Sequence, residues 1–154
     1  MPDRRLFLDI FRLYQLTGAV VERQVSKLGI PAYLLGLLAQ IHRLAPVTPS
    51  AISQATGIAT TTLRDNIQRL VDRGLIERKP NPGDGRSYLI ELTDEGARLL
   101  EAADPALLEA YLALEQRLPR PSAEYEQRLA ELDSALAAAL AGTADAQPAR
   151  TGGK

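Results

Sequence analysis

Apolar residues along the chain follow a helical repeat for most of its length and change to a repeat of two at one place only, residues 75–92. Leu6, Ile10, Leu13, Tyr14, Thr17, Val20 and Val21 recur at helical spacing and set a first long helix over about 5–28, ended by Gly29 and Pro31. A second helix, Tyr33 to Leu44, carries the pairs Leu34-Leu35 and Leu37-Leu38, which call for burial on more than one side, and Pro46 closes it. Thr48 suits the cap and Pro49 the first position of a short third helix. That helix turns Ile52 and Ala55 inward and stops at Gly57, where a tight turn needs a residue free of Cβ. The fourth, Thr60 to Arg73, follows at once. Ile58, Leu63, Ile67, Leu70 and Val71 make its inner stripe, and Thr61, Arg64, Asp65 and Gln68 its outer face, with Arg69 and Asp72 to the side. Asn66 lies near the inner stripe and leaves the helix phase open by about one residue.

After Gly74 comes a short strand, Leu75 to Lys79, a tip of Pro80-Asn81-Pro82-Gly83-Asp84-Gly85, and a second strand with Tyr88, Ile90 and Leu92 on one side. Thr93 caps a fifth helix, with Asp94 and Glu95 in the first turn, where the helix dipole favours anions. It runs to about Leu118 through Leu99, Leu100, Leu107, Leu108, Tyr111, Leu112 and Leu114, with a kink expected at Pro105 and a break at Pro119 and Pro121. The last helix, Ser122 to about Leu140, carries Tyr125, Leu129, Leu132, Leu136 and Leu140. Residues 142–154 are small, polar and glycine-rich and are expected to be a disordered tail. Two short helices about Gly57 have helix-turn-helix spacing. Helix, strand, Gly/Pro turn, strand, helix is the order of a winged helix-turn-helix. The prediction is a mainly α chain with a small β-hairpin wing: one domain over 1–141, its winged part at 47–96 between helical regions 5–45 and 97–141.

Composition narrows the function. The 154 residues suffice for one domain with a core. No apolar run approaches the ~20 residues of a membrane span, and the start of the chain lacks a signal-peptide pattern, so a cytoplasmic, membrane-free protein is expected. Absence of cysteine excludes disulfides, Cys-ligated metals and thiol switches. With one histidine, no glycine-rich phosphate loop and no metal-ligand spacing, neither an enzyme nor a metal or other cofactor is expected. The formal net charge of −1 does not announce a nucleic-acid binder, but DNA sees one face. Between Ile58 and Ile90, Arg64, Arg69, Arg73, Arg78, Lys79 and Arg86 outnumber Asp65, Asp72, Glu77 and Asp84 by two.

The fourth helix has the side chains for a major groove. Arg64 can pair with a guanine edge, Gln68 with adenine, and Asp65 with a cytosine amino group unless it folds back onto Arg64 or Arg69. Thr60, Thr61 and Thr62 can touch phosphate or thymine. Arg86 sits on the hairpin, where a phosphate or a minor groove can lie. A solvated helix face is the alternative for Arg64 and Gln68. Arg69 is a further DNA-contact candidate; for it and for Arg73 the alternative is ion pairing with Asp65, Asp72 or Glu77. The apolar stripes of the terminal helices exceed what so small a domain needs. They serve either intrachain packing or a twofold homodimer, which would set two reading helices ~34 Å apart on an inverted repeat.

Asp84, Arg86, Leu92, Thr93 and Gly96, preceded by Arg73-Gly74-Leu75, form a pattern: Asp, any residue, Arg, a short strand, Leu-Thr opening the next helix, and Gly soon after. It resembles the wing of the MarR family of bacterial transcriptional regulators. The resemblance is sharp over Ile52 to Gly96 and extends by element order over about 5–140. It implies a homodimer on a palindromic double-stranded operator, commonly a repressor. It gives Arg86 a minor-groove or backbone contact and Asp84 a structural role in the wing through an ion pair. It also implies a small aromatic effector between the dimer helices and the winged part, for which Tyr14, Tyr33, His42 and Tyr111 are candidates. Each of these four also reads as ordinary core or surface packing, and His42 as a partner of its own helix's carbonyls. One departure stands out: Gly83, Gly85 and Ser87 occupy wing positions where many relatives carry a second cation, so a shallow salt dependence is expected. The alternative function is a winged-helix protein-interaction module without specific operator binding.

Overall fold

The computed structural model describes residues 5–145. Helix α1 (Arg5–Val25) ends in a 3₁₀ turn (Ser26–Leu28) and is followed by α2 (Ala32–Leu44), α3 (Pro49–Thr56) and α4 (Thr60–Asp72). Strands β1 (Ile76–Pro80) and β2 (Tyr88–Leu92) precede α5 (Asp94–Glu115) and α6 (Ser122–Asp145). Mainly helical, with one two-stranded antiparallel sheet among the described residues, the architecture is the predicted one. The chain divides between Ala113 and Leu114 into two compact units. Helix α5 passes through Pro105 as one element, and α6 runs past the expected end at Leu140. The predicted tail lies outside the described residues from 146 onward. Among the described residues no helix is long and apolar enough to cross a membrane.

The core of the first unit is built around α2. Leu34, Leu35, Leu37, Leu38 and Ile41 are all buried, as the doubled leucines demand. They pack with Val25, Ile52, Leu63, Ile67, Leu70 and Ile90, and no described polar or charged residue is buried. Burying each such side chain contributes about 1.5–3 kcal/mol. The α2 N-terminus has only Pro31 at its cap position, so it borrows a cap: a Glu22 carboxylate oxygen on α1 accepts the Ala32 N–H at 2.6 Å. That contact satisfies an otherwise orphaned donor and sets a negative charge at the positive end of the dipole.

Thr48 caps α3 by accepting the Ala51 N–H at 3.2 Å, and Gly57 ends it at φ +69°. Ile52 is buried as expected, but Ala55 is exposed, against the prediction. The inward side carries Ser53 and Thr56 instead. Their hydroxyls donate to the Ile58 and Ile52 carbonyls, both at 2.7 Å, so the polar groups are satisfied and can turn toward the Gly57 bend. Helix α4 buries Leu63, Ile67 and Leu70, with Asn66 half-buried at the edge of the stripe, which settles its phase.

The hairpin pairs Ile76 with Leu92, Arg78 with Ile90 and Pro80 with Tyr88. Ile90 is fully buried, and its backbone exchanges hydrogen bonds of 2.8 and 3.2 Å with Val47, tying the wing to the α2–α3 linker. Where α4 ends, Gly74 takes φ +69°, Leu75 N–H reaches the Leu70 carbonyl at 3.0 Å, and Gly74 N–H reaches Val71 at 2.8 Å. This is a Schellman stop. Thr93 then locks the far end of the hairpin to it. Its hydroxyl donates to the Gly74 carbonyl at 2.6 Å and accepts the Gly96 N–H at 3.1 Å, while its own N–H reaches the Leu75 carbonyl at 3.1 Å. A Cβ on Gly96 would lie 2.1 Å from that same Leu75 oxygen. The Leu-Thr and Gly of the motif therefore have a joint physical reason: they close the wing at its base.

Candidate nucleic-acid interface

Because Leu63, Ile67 and Leu70 point into the core, the residues between them point out. Thr60, Thr61, Thr62, Arg64, Asp65, Gln68 and Arg69 are all exposed. Ala59 occupies the cap position of α4 and offers no side-chain acceptor, while its carbonyl takes the Leu63 N–H at 2.9 Å. The amides of the first turn thus face outward at the positive end of the helix.

The wing tip is shaped by two Asx turns. Asn81 accepts the Gly83 N–H and Asp84 accepts the Arg86 N–H, both at 3.0 Å. Ser87 N–H closes the tip onto the Asp84 carbonyl at 3.0 Å. Among the described residues no ion pair joins Asp84 to Arg86, which corrects the expected mode of support. A carboxylate held over the amide two residues on shapes the backbone and leaves the guanidinium free. Arg86 then projects, exposed, into a cleft of about 330 Å³ shared with Ser50, Thr60, Arg64, Ser87 and Tyr88. The cleft lies between the first turn of α3, the start of α4 and the wing.

The six cations of the region divide sharply. Arg69 donates to the Tyr33 hydroxyl at 2.7 Å, and Arg73 to the Gly29 carbonyl at 2.7 Å. Neither forms the ion pair with Asp65, Asp72 or Glu77 that was the alternative reading, because both reach back to the α1–α2 region instead. Arg78 donates to Gln68 Oε1 at 2.8 Å and its guanidinium lies 5.2 Å from the centre of the Tyr88 ring. Lys79 is held by Glu91 across the hairpin and by Glu77 at 3.2 Å. Those hydrogen bonds, Glu91's foremost, raise its pKa above the ordinary lysine value. Among the described residues the guanidiniums of Arg64 and Arg86 have no protein partner, and these two residues share the cleft. Asp65 also stands without one: it folds back onto neither Arg64 nor Arg69.

Gln68 and the four effector candidates can also be placed in the fold. Gln68 has both ends of its amide engaged, accepting from Arg78 and donating to Asp72 Oδ1 at 2.7 Å. The four effector candidates are all exposed. Tyr14 lies on α1 and Tyr111 on α5, while Tyr33 and His42 sit at opposite ends of α2, nine residues or about 13 Å of helix apart. Sequence reasoning missed Arg78, Tyr88 and Glu22. The first two become neighbours only through the hairpin register, since Arg78 lies diagonal to Tyr88 when Pro80 faces it.

The MarR family model matches residues 31–87, from α2 to the wing. Among curated relatives, the HTH-type transcriptional repressor NicR of Pseudomonas putida is 30% identical over 94 residues, 61% of this chain and 60% of that protein. The chain thus spans less than two thirds of the length of that relative. The multiple antibiotic resistance protein MarR of Escherichia coli K12 is 32% identical over 103 residues, 62% of this chain and 72% of that protein. Among solved structures, a cysteine-to-serine mutant of E. coli MarR complexed with operator DNA superposes with a TM-score of 0.75 at 27% identity, covering 84% of this chain and 94% of that one.

Proposed function

The chain belongs to the MarR family, and on that premise we propose that it is a dimeric, sequence-specific DNA-binding transcriptional regulator, a repressor at an inverted-repeat operator. The observation that carries this reading is the pair of unpartnered guanidiniums, Arg64 on α4 and Arg86 on the wing, at one open cleft. A buried or paired arginine serves the fold. Two that are left bare on neighbouring elements await an anion or a base edge.

In this reading α4 enters the major groove. Arg64 pairs with a guanine edge and Asp65 accepts from a cytosine amino group, while the first-turn amides and the hydroxyls of Thr60, Thr61 and Thr62 take phosphate. Arg86, held out by the Asp84 turn, contacts the minor groove or the adjacent backbone. Arg69 steadies α4 against α2 through Tyr33. Dimerisation is supported by where apolar surface remains exposed. Of sixteen exposed large hydrophobic side chains among the described residues, fifteen are on α1, α5 and α6 and none lies between residues 47 and 96. A second copy covers such surface and sets two α4 helices about one DNA turn (~34 Å) apart. The effector is a small aromatic molecule. Its access to Tyr33 would bear directly on Arg69, because the two share a hydrogen bond. The protein acts in the cytoplasm.

Selection of duplexes from a random pool, followed by footprinting and sedimentation, tests the proposal. The expected result is a protected inverted repeat bound by a dimer. Weak binding that moderate salt erases, with no sequence selected, would instead make the chain a winged-helix module for protein partners.

A further inference from the structure

We infer that Gln68 and Arg78 form a latch that fixes the wing against the reading helix, and that Gln68 acts on DNA through Arg78 rather than by reading a base; this rests on the regulator reading above. Gln68 stands on α4 and Arg78 on β1. Reading adenine would require Gln68 to donate through Nε2 and accept through Oε1. Both atoms are already in use, Nε2 toward Asp72 at 2.7 Å and Oε1 from Arg78 at 2.8 Å. The orientation is determined chemically. A carboxylate only accepts and a guanidinium only donates, so the reversed amide would put acceptor against acceptor and donor against donor. On its far side the Arg78 guanidinium lies over the Tyr88 ring, 5.2 Å from its centre. Tyr88 borders the cleft that Arg64 and Arg86 share. Asp72, Gln68, Arg78 and Tyr88 therefore run as a chain of contacts from the end of α4 across β1 to the start of β2. The spacing between a contact made by Arg64 and one made by Arg86 depends on that chain. Arg78 and Gln68 are positioning residues.

The test compares Gln68→Ala, Arg78→Ala, Arg78→Lys and the double alanine variant with the parent, on the selected operator and on duplexes with each half-site base pair replaced in turn. A latch predicts that each alanine variant loses about fivefold in affinity on every duplex, the scale of one ordinary intramolecular hydrogen bond. It also predicts that the double variant loses no more than either alone, and that Arg78→Lys, which lacks the planar fork, fails to restore binding. Loss of preference at a single base pair in Gln68→Ala alone, multiplied losses in the double variant, or full rescue by lysine would each overturn it. Amide hydrogen exchange of the free protein supplies a second arm. Residues 81–87 should exchange faster in both alanine variants, and parent-like exchange overturns the latch without reference to DNA. A parent that selects no operator overturns the regulator reading, and the exchange arm then decides the latch by itself.

Discussion

At the scale of single residues, two glycines show how local space decides what a position tolerates. Gly96 sits where an added Cβ would be 2.1 Å from the Leu75 carbonyl oxygen, a backbone atom that cannot swing aside. Gly96→Ala should cost about 1–3 kcal/mol, read as a fall in the urea midpoint at constant slope. Gly36, on the exposed side of α2, has nothing within 4 Å, and Gly36→Ala should stabilise by up to about 1 kcal/mol in the same measurement. The cations at the cleft separate in the same way. Arg64→Ala should lose about 1–3 kcal/mol and relax preference at one base pair, whereas Arg86→Ala should weaken all duplexes more evenly. Titration of both variants against the base-replaced set checks this, and parent-like binding by both would refute the docking. Arg64 and Arg86 were legible as candidates because helix phase and the wing motif put them outside. The engagement of Gln68 was not. It depends on Arg78, ten residues away, arriving across a hairpin whose register no local pattern states.

At the scale of elements, boundaries were legible where a residue type has one local use. Thr48, Gly57, Gly74 and Thr93 each mark a helix end that the structure places there. What a pattern could not supply was the second use of such a residue, as when Thr93 also bonds the Gly74 carbonyl nineteen positions back. The continuation of α6 beyond Leu140 was hidden for another reason: Ala141 to Asp145 holds a helix with no apolar stripe to announce it. The hairpin also shows which cations its pairing withdraws from DNA. Lys79 lies against Glu91 and Glu77, and its pKa is raised. A raised lysine pKa means that this pairing contributes fully below the ordinary lysine value and is lost only as pH climbs through the raised folded value. Across neutral pH the ammonium therefore stays with its two carboxylates. Lys79→Gln should leave operator affinity within about twofold of the parent, since an exposed, already paired charge has little left to give. A tenfold loss in a filter-binding titration would show instead that Lys79 changes partners on DNA.

At the scale of the whole molecule, the proposed dimer and its salt response follow from where apolar and charged groups remain bare. Leu129 and Leu140 are exposed on α6, so carboxylates there leave the folded protomer intact but set charge into any interface built on that helix. Leu129→Glu with Leu140→Glu should yield a folded monomer by sedimentation and circular dichroism. A dimer as tight as the parent's would place the interface elsewhere. Salt then measures how many charges reach phosphate. Four of the six winged-region cations are engaged within the protein, which leaves Arg64 and Arg86, or four guanidiniums in a dimer. With about 0.9 counterions released per phosphate neutralised, the plot of log affinity against log salt should have a slope no steeper than about −4. First-turn amides and threonine hydroxyls add affinity without adding to that slope, because they carry no net charge to displace counterions. A slope near about −11 would mean that Arg69, Arg73, Arg78 and Lys79 abandon Tyr33, Gly29, Gln68 and Glu91 when DNA arrives. The contacts that now brace α4 and the wing would then be those of the free protein only, and recognition would proceed by rearrangement rather than by docking of a preformed face.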